Sequence, residues 1–383
     1  MRIAVVSESF LPTVNGVTTS VVRVLEHLQR RGHETLVIAP AAGAPSEYAG
    51  ARVVEVPAVP YRAFPVGLPH PTMHRLLTDF APDVLHAASP FLLGAQAIGT
   101  ASRLGIPSVA IFQTDVAGYA RRNRLSAATR FAWKVVSFVH DKADLTLAPS
   151  SASLADLRAA GVQRLDRWGR GVDLDGYHPR LRHEARRHAM RAQWAPRGEL
   201  LVGYVGRLAP EKQVERLNAL RGMPGIRLVV VGDGPSEPGV RRALRGMPVH
   251  FTGALHGREL ALAYAALDIF VHTGSHETFG QTIQEAQASA LPVVAPRAGG
   301  PVDLIEHGQS GLLVTPDAAL ELRRAVELLA ADPALRARLG EAGRRAVLGR
   351  TWEALGDRLI EHYESTIERV GAARRPALAS SGR

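Results

Sequence analysis

The sequence predicts an α/β protein made of two doubly wound units. Short apolar runs alternate with amphipathic helical patterns along the whole chain, and most of these runs are apolar at every position. Such strands are typical of parallel sheets covered on both faces, and strand–helix alternation is typical of doubly wound folds. A chain of 383 residues is also long enough for two domains, each with its own core.

Two series of strands are predicted, separated by a charged segment from Arg180 to Arg191 that lacks strand character. We therefore place a first domain at residues 1–172 and a second at residues 198–352, with an interdomain cleft at the carboxyl ends of both sheets. A C-terminal helix over residues 353–370 is able to pack on either domain, and the tail at residues 371–383 is predicted to be disordered. The predicted strands are Ile3–Val6, Thr35–Ala39, Val53–Val56, Val84–His86, Val109–Phe112, Leu145–Ala148, Leu200–Val205, Arg227–Val231, His250–Thr252, Ile269–His272, Val293–Ala295 and Leu312–Val314.

Composition excludes several classes of protein. The chain has no cysteine, which excludes disulfides and cysteine nucleophiles, and its 15 histidines show no metal-ligand spacing, so no metal or other cofactor is predicted. Neither a signal peptide nor an apolar run of ~18 residues occurs, so a cytoplasmic protein is expected. The net charge of +10 rests on arginine, which is typical of a GC-rich genome but also favours phosphate or anionic lipid. Nucleic acid is not predicted, because the basic residues are not interleaved with aromatic ones.

Glu277 and Glu285 bracket the pair Phe279-Gly280. A helix that begins near Phe279 sets the two carboxylates ~12 Å apart. Carboxylates accept hydrogen bonds from hydroxyls and a helix N-terminus favours an anion, so the segment suits a ligand with a diphosphate between two hydroxyl-bearing ends. A nucleotide-sugar has that pattern. The alternative is an ordinary amphipathic helix with a capping box that starts at Thr278.

Arg207 and Lys212 follow the strand that opens the second domain. Two cations at this position can clamp a diphosphate and neutralise its growing charge as a sugar leaves. The alternative is that both are solvated, with Glu211 as a local partner. Alone, the pair favours the solvated interpretation; together with the segment around Glu277, it favours the diphosphate.

Other candidates stand where strands end. Gly16, at the start of the first helix, either lets a phosphate or sugar approach the backbone or is a plain turn glycine. Gln113 and Asp115 are candidates to touch the transferred sugar or the acceptor, unless Asp115 caps the next helix. The segment Gly232–Gly234 is predicted to be a structural turn, whereas Gly299-Gly300 has a better claim to border the ligand.

The most basic stretch runs from Tyr119 to His140 and contains no acidic residue. Its apolar residues recur near helical spacing, so an amphipathic helix is predicted. Such a helix either rests on anionic lipid or packs on the core with a solvated basic face. The basic residues are Arg121, Arg122, Arg124, Arg130 and Lys134, and the apolar ones are Leu125, Phe131, Val135, Phe138 and Val139.

Taken together, these motifs resemble the retaining glycosyltransferases of family 4, whose GT-B fold has two facing Rossmann-like domains with a cleft between them. The resemblance covers nearly the whole chain and is strongest at Gly206–Lys212 and Glu277–Ala286. The phrases Glu8–Gly16, Gln113–Asp115 and Arg170–Asp173 look more like one subgroup. That subgroup is the bacterial GDP-mannose-dependent α-mannosyltransferases that act on glycolipids.

The resemblance implies which residues hold the donor. Arg207 and Lys212 would hold its diphosphate, with Gly16 offering close approach from the first domain. The basic amphipathic stretch would correspond to the region that meets membrane in the lipid-acting relatives.

The resemblance also implies roles for the segment between the two carboxylates. Glu277 would contact the transferred sugar, assisted by the backbone N–H groups of Phe279 and Gly280. Glu285 would bind the ribose hydroxyls.

One departure from the family pattern concerns catalysis. Many members carry a histidine, which has been assigned a part in catalysis, where this chain has Gln113. Glutamine cannot act as a general base, so it only hydrogen-bonds the sugar, or Asp115 contributes, or the departing phosphate itself takes the acceptor proton. We favour the last, a front-face transfer in which positioning and leaving-group stabilisation do most of the catalysis.

The leading hypothesis is a retaining mannosyltransferase that moves mannose from GDP-mannose to a lipid or lipid-linked acceptor at the inner membrane face. The nearest alternative keeps the fold and uses a UDP-sugar such as UDP-glucose. A nucleotide-sugar epimerase and a non-catalytic sugar-nucleotide-binding protein are two further alternatives. The cation pair Arg207 and Lys212 beside the Glu277 segment argues against both.

Overall fold

The computed structural model describes residues 1–13, 15–61, 64–113 and 126–380. Its chain divides into two compact units, Met1–Arg170 together with Trp352–Arg383, and Gly171–Thr351. The segment 173–197, which the sequence analysis left outside both domains, therefore belongs to the second unit. Within the described part of the chain, no helix is both long and apolar enough to cross a membrane.

The first unit is built on an eight-stranded sheet in the order β10-β9-β8-β7-β1-β2-β4-β3, in which only the β3–β4 pair is antiparallel. A separate antiparallel pair, β5–β6, lies outside this sheet. Along β1, Ile3 and Val5 pack into one apolar cluster and Ala4 and Val6 into another, as expected for a sheet covered on both faces. The strands are β1 Arg2–Ser7, β2 Glu34–Pro40, β3 Glu47–Tyr48, β4 Ala51–Val56, β5 Ala58–Tyr61, β6 Phe64–Gly67, β7 Val84–Ala88, β8 Ser108–Ile111, β9 Leu145–Ala148 and β10 Leu165–Arg167.

Helices connect these parallel strands. The first one begins where the Asn15 side chain accepts hydrogen bonds from the backbone N–H groups of Val17 (2.9 Å) and Thr18 (3.0 Å), which satisfies two of the free donors of the helix end. The helices are α1 Gly16–Arg30, α2 Thr72–Phe80, α3 Leu92–Leu104, α4 Ser126–His140 and α5 Ser151–Ala159.

The second unit is built on a six-stranded, all-parallel sheet in the order β13-β12-β11-β14-β15-β16. Its core again lies on both faces of the sheet, with Leu228 and Val230 of one strand in one cluster and Val229 and Val231 in the other. The strands are β11 Leu200–Val205, β12 Ile226–Val231, β13 Val249–Gly253, β14 Ile269–Val271, β15 Val293–Pro296 and β16 Leu312–Val314.

The helices of the second unit include three 3-10 segments, at Pro179–His183, Pro210–Lys212 and Val214–Leu220. The last of these stands where doubly wound folds usually have an α-helix. The α-helices are α6 Ala185–Trp194, α7 Glu237–Ala243, α8 Gly257–Ala266, α9 Gln281–Ala288, α10 Pro301–Leu304, α11 Ala319–Ala331 and α12 Pro333–Val347.

The C-terminal helix α13, Trp352–Ser380, packs on the first unit. The indole N–H of Trp168 donates to the Leu355 carbonyl at 2.8 Å, and the Tyr363 hydroxyl lies 2.6 Å from Nδ1 of His86. The prediction of a disordered tail from residue 371 is wrong, because the helix continues to Ser380. Four alanines follow Gly371, and alanine has the highest helix propensity.

All twelve predicted strands are confirmed, with ends shifted by at most two residues. The prediction of two doubly wound α/β units is therefore confirmed as well. The strands that were not predicted are β3, β5, β6 and β10, which have two, four, four and three residues. Segments this short carry too few residues to show a period, and all four contain proline or charged residues.

Candidate active site

Glycines bring two loops together at the carboxyl ends of β11 and β12. A Cβ atom on Gly232 would lie 2.1 Å from the Gly206 carbonyl oxygen, and one on Gly234 would lie 2.4 Å from the Leu208 carbonyl oxygen. The backbone N–H of Leu208 donates to the Asp233 carbonyl at 2.6 Å. The turn at Gly232–Gly234 thus supports the loop that carries Arg207 and Lys212, in line with its predicted structural role.

The ammonium group of Lys212 donates to Oε2 of Glu277, in the loop between β14 and α9. Both side chains are largely buried, with 25% and 12% of their surface exposed. The Thr273 hydroxyl also donates to the Lys212 carbonyl at 2.7 Å, so backbone and side chain both tie the two loops together. Sequence analysis assigned both residues to one site, and the structure brings them into direct contact.

The Glu277 carboxylate is held in its charged form. Burial raises its pKa, but the Lys212 ammonium and His272 outweigh burial and bring the pKa to about 2. His272 follows β14 directly, and its Nε2 lies 3.7 Å from Glu277 Oε2. Burial lowers the pKa of His272 to about 4, although the Glu277 charge works in the opposite direction. At neutral pH the cluster therefore contains one cation, one anion and a neutral imidazole.

Two glycines after β15 pack directly against the backbone of the Glu277 loop. The N–H of Gly300 donates to the Glu277 carbonyl at 2.7 Å. A Cβ atom on Gly299 would lie 2.2 Å from that carbonyl oxygen, and one on Gly300 would lie 2.0 Å from the Phe279 carbonyl oxygen. No side chain fits between these backbones, so the two glycines determine the position of the Glu277–Phe279 backbone.

Helix α9 begins at Gln281, two residues later than predicted, and its N-cap is Gly280 at φ 103°. No side chain caps the helix, so the alternative interpretation, a capping box formed by Thr278 and Gln281, is wrong. Glycine adopts a positive φ without a steric penalty, and this φ at the N-cap turns the preceding backbone away from the helix. The Phe279 N–H instead donates to Glu277 Oε1 over 3.3 Å, a long hydrogen bond.

Glu285 lies one turn into α9, and its Oε2 accepts a hydrogen bond of 2.8 Å from the Tyr264 hydroxyl of α8. Burial, and next the Glu285 charge, raise the pKa of Tyr264 well above its usual value. The tyrosine therefore stays a proton donor at all ordinary pH values and holds the carboxylate in one orientation.

Arg207 and Lys212 have different partners. Arg207 is exposed and pairs with Glu211, whereas Lys212 is paired with Glu277. The alternative of a solvated cation with Glu211 as its local partner thus describes Arg207 but not Lys212. An exposed ion pair of this kind contributes little to stability, so Arg207 can leave Glu211 for a phosphate at small cost.

In the first unit, Gly16 is the first residue of α1, and the guanidinium group of Arg170 lies against it. Arg170 donates to the Gly16 carbonyl and, over 3.0 Å, to the Ser20 hydroxyl. Gln113 follows β8, and its Oε1 is buried without a hydrogen-bond partner among the described residues. Asp115 lies outside the described residues.

The buried carboxylate of Glu8, just after β1, also belongs to the first unit. Its Oε1 accepts hydrogen bonds from the N–H groups of Phe91 (2.7 Å) and Gly94 (2.8 Å) at the start of α3. Burial raises the pKa of Glu8, although these N–H groups oppose it. The carboxylate thus acts as an N-terminal cap for α3.

Helix α4 exposes two phenylalanines. Phe131 and Phe138 have 68% and 62% of their surface exposed, and Lys142 Nζ lies 3.9 Å from the centre of the Phe138 ring. The face turned to the core is instead formed by Trp133, Val136 and Val139. Phe131 and Phe138 were predicted to belong to one apolar stripe with Val139, which is wrong, because they lie on the exposed face. Arg130 and Lys134 are exposed on this helix, whereas Arg121, Arg122, Arg124 and Leu125 lie outside the described residues.

Comparison with known proteins agrees with this architecture. The model of Glycosyltransferase Family 4 matches residues 14–175, and that of Glycosyl transferases group 1 matches residues 186–346. A GDP-mannose-dependent alpha-mannosyltransferase of Mycolicibacterium smegmatis is 48% identical over 378 residues, which cover 96% of this chain and 98% of that protein. A GDP-mannose-dependent alpha-(1-6)-phosphatidylinositol dimannoside mannosyltransferase of Mycobacterium tuberculosis is 28% identical, over 80% of this chain and 82% of that protein. The crystal structure of Anabaena HepE in complex with UDP superposes with a TM-score of 0.79 at 20% identity, covering 95% of this chain and 100% of that chain.

Two Rossmann-like units, the second with a lysine–glutamate cluster at the carboxyl edge of its sheet, define a glycosyltransferase of the GT-B class. The matches over both units assign it further. The chain belongs to glycosyltransferase family 4.

Sequence analysis missed four side chains of these surroundings. Glu8 and Arg170 belong to the segments Glu8–Gly16 and Arg170–Asp173, which resemble the subgroup. That resemblance marks the two segments but does not indicate what either side chain does. His272 and Tyr264 gave no such signal. A histidine at a strand end and a tyrosine in an alanine-rich helix have ordinary core roles, and only the fold brings them next to Glu277 and Glu285.

Proposed function

We propose that this glycosyltransferase is a retaining α-mannosyltransferase that moves mannose from GDP-mannose to a lipid or lipid-linked acceptor. The Lys212–Glu277 pair carries the proposal, because it sets a cation for the donor diphosphate next to a carboxylate for the sugar. The names of the relatives supply the donor: the 48% identical relative is named for GDP-mannose. A phosphatidylinositol dimannoside mannosyltransferase among the relatives supports a lipid-type acceptor.

Each group of the donor has a matching group in the second unit. Arg207 and Lys212 neutralise the diphosphate, and both can exchange a carboxylate partner for a phosphate oxygen. Glu277 accepts hydrogen bonds from hydroxyls of the transferred mannose, and Glu285, oriented by Tyr264, accepts them from the ribose. The N–H groups of Phe279 and Gly280 stand just before α9 and add donors for the sugar–phosphate junction.

Transfer proceeds on one face of the sugar. The bond between the anomeric carbon and the phosphate oxygen breaks while the acceptor oxygen bonds to the same face, and the departing phosphate oxygen takes the acceptor proton. Arg207 and Lys212 stabilise the negative charge that grows on the leaving diphosphate. No protein base is needed, which suits Gln113, whose amide cannot take a proton. No metal is needed either, since two cations of the chain neutralise the diphosphate.

The donor is tested by thermal unfolding with GDP, GDP-mannose, UDP and UDP-glucose, followed by nucleotide release in the presence of membrane lipid extract. Binding to the folded state raises the Tm by mass action. We expect GDP and GDP-mannose to raise the Tm, UDP and UDP-glucose not to, and GDP release to require lipid. A preference for UDP species would keep the class and overturn the donor. An NMR spectrum of the product should show the α-anomer if the configuration is retained.

We further propose that α4 brings the enzyme to the inner face of the membrane, so that a cytoplasmic protein reaches its lipid acceptor. Two exposed phenylalanines beside Arg130, Lys134 and Lys142 combine apolar insertion with attraction to anionic headgroups. A helix that only packs on the core has no need of Phe131 and Phe138 on its exposed face.

Vesicle sedimentation tests this contact. The double variant Phe131→Ser/Phe138→Ser should lose binding to phosphatidylglycerol vesicles, and phosphatidylcholine vesicles should bind neither protein. Leu320 and Leu328 of α11 are the matched control, since their side chains are also exposed, at 69% and 51%, but lie in the second unit. Equal loss of binding in Leu320→Ser/Leu328→Ser would mean that general stickiness, not α4, holds the vesicles.

A further inference from the structure

The two oxygens of the Glu277 carboxylate have different surroundings. Oε1 accepts the long hydrogen bond from the Phe279 N–H, at 3.3 Å. Oε2 accepts from Lys212 and has His272 Nε2 at 3.7 Å, which is beyond hydrogen-bond distance. A third polar group thus stands next to Oε2 without bonding to it.

His272 lies next to a pocket. Its side chain is 1% exposed, and the residue is one of those that line a partly open pocket of about 260 Å³ in the second unit. The pocket is walled by the 3-10 segment at Val214–Leu220 and by the carboxyl ends of β15 and β16, with Asn218, Pro296, Val314 and Leu322 among its lining residues. A hydrogen bond to Oε2 requires a shift of only about half an ångström, and a side chain next to a pocket meets less resistance to such a shift than one enclosed in the core.

His272 is neutral at the pH of the cell, because burial lowers its pKa to about 4. A neutral imidazole has one N–H donor and one acceptor nitrogen. Two acceptors lie near the ring, the Glu277 carboxylate and the Gly274 backbone, and only the tautomer with the hydrogen on Nε2 is attractive to the carboxylate. His272 can therefore donate to Glu277 without adding a charge that would compete with Lys212 for the diphosphate.

The donor changes what Lys212 must do. Among the described residues, its ammonium group donates to Glu277 alone, and a bound diphosphate would compete for the same three N–H donors. The Thr273 hydroxyl holds the Lys212 carbonyl at 2.7 Å, so the backbone stays in place while the ammonium group turns. Glu277 Oε2 then loses all or part of its strongest partner at the moment when the carboxylate has to face the sugar.

We propose that His272 is a positioning residue of the donor site, whose Nε2–H closes on Glu277 Oε2 when the diphosphate draws Lys212 away. This inference rests on the proposed donor role of Lys212 and Glu277. His272 touches neither the sugar nor the phosphate, and it acts by keeping the Glu277 carboxylate in the orientation that the mannose hydroxyls require.

The test compares His272→Leu with His272→Gln in steady-state kinetics. Leucine removes the donor, and a hydrogen bond to a charged group is strong enough that kcat should fall ~10-fold or more. The KM for GDP-mannose should change less than ~3-fold, because the diphosphate contacts remain. Glutamine carries an amide N–H close to the Nε2 position and should restore most of kcat. His272→Leu should also keep its Tm, since leucine replaces a buried polar ring whose hydrogen-bonding capacity is poorly used.

His250→Leu is the control for a general packing defect. His250 lies on β13 of the same unit, with its ring 5.5 Å from that of Trp194, and does not belong to the Glu277 cluster. The His250→Leu variant should have a lower Tm than the wild type and the same kcat. Equal kcat values for His272→Leu and the wild type would overturn the inference, as would a loss of kcat that glutamine does not restore.

A structure with GDP bound gives a readout that does not need turnover. The distance between His272 Nε2 and Glu277 Oε2 should shorten from 3.7 Å to hydrogen-bond length. An unchanged distance would overturn the inference. Lys212→Ala distinguishes failure of the proposed donor site from failure of the inference about His272. If Lys212→Ala keeps full turnover, the proposed donor site is wrong. If Lys212→Ala is inactive and His272→Leu has normal turnover, only the role of His272 is wrong.

Discussion

The candidate residues of the two units hold their polar groups in different ways. In the second unit, Lys212 pairs with Glu277 of another loop and Arg207 pairs with Glu211 of its own loop. In the first unit, Glu8 binds backbone N–H groups and the Arg170 guanidinium binds a backbone carbonyl. Both arrangements give each charge a partner, but they leave different chemistry available.

A side chain in an ion pair can exchange its charged partner for a ligand. A side chain bonded to backbone groups instead holds its loop in one conformation. A diphosphate offers Lys212 and Arg207 the same kind of partner that they already have. The N–H groups that Glu8 satisfies at the start of α3 have no replacement if the carboxylate turns away. The comparison therefore favours the paired charges of the second unit as the proposed donor site and gives the backbone-bound charges of the first a role in loop geometry.

The largest effect is expected for Lys212→Ala. The variant removes one of the two proposed stabilisers of the leaving diphosphate, and turnover should fall at least ~100-fold, by analogy with the loss of one oxyanion donor. It also leaves the Glu277 carboxylate, which is 12% exposed, without its cation, so the Tm should fall too. Initial rates of GDP release with lipid acceptor and a thermal scan measure the two effects.

Arg241→Ala is the matched control for this loss. Arg241 pairs with Glu237 on α7 of the same unit and lies over the Phe251 ring, so its removal should lower the Tm slightly and leave the rate unchanged. Near-normal turnover of Lys212→Ala would remove Lys212 from the site and would break the distinction between the units.

Sequence patterns predicted the sheet strands because both faces of each sheet are covered, which makes the strands apolar at every position. They also located Lys212 and Glu277, since each stands at a strand end within a local motif. What they did not show is that these two side chains, 65 residues apart, bind each other. That contact depends on β11 and β14 being neighbours in the sheet, which is a property of the topology and not of either motif.

The wrong predictions about α9 and α4 also concern properties that depend on the folded structure and not on a local motif. Helix α9 begins two residues after the predicted start because Gly280 adopts a φ of 103°. Glycine is able to adopt many backbone conformations, so the sequence does not show which one it takes. Phe131 and Phe138 share a helical stripe with Val139 in the sequence, but the core takes Trp133 and Val136 instead. Helical spacing shows that an apolar face exists and leaves open which of two apolar faces is buried.

The smallest effect, and the sharpest test of the first unit, is expected for Glu8→Gln. Burial raises the pKa of Glu8 above its usual value of 4.5, so the folded state favours the protonated form. A group whose pKa is raised on folding stabilises the fold below its unfolded pKa, and this contribution is lost as the pH rises through the folded pKa. The charged Glu8 carboxylate therefore lowers stability at neutral pH. Glutamine keeps an oxygen for the Phe91 and Gly94 N–H groups without the charge.

We therefore expect Glu8→Gln to have a higher Tm than the wild type at pH 7.5, a gap that closes as the pH falls toward 4.5. Its kcat and its KM for GDP-mannose at pH 7.5 should match those of the wild type, because loop geometry is preserved. Thermal scans at a series of pH values and initial rates measure both. A ~10-fold loss of kcat at unchanged or raised Tm would show that the charge of Glu8 itself serves the reaction. In that case the first unit, too, would hold a charge for chemistry, and backbone-bound carboxylates would have to be counted among the functional groups of this fold.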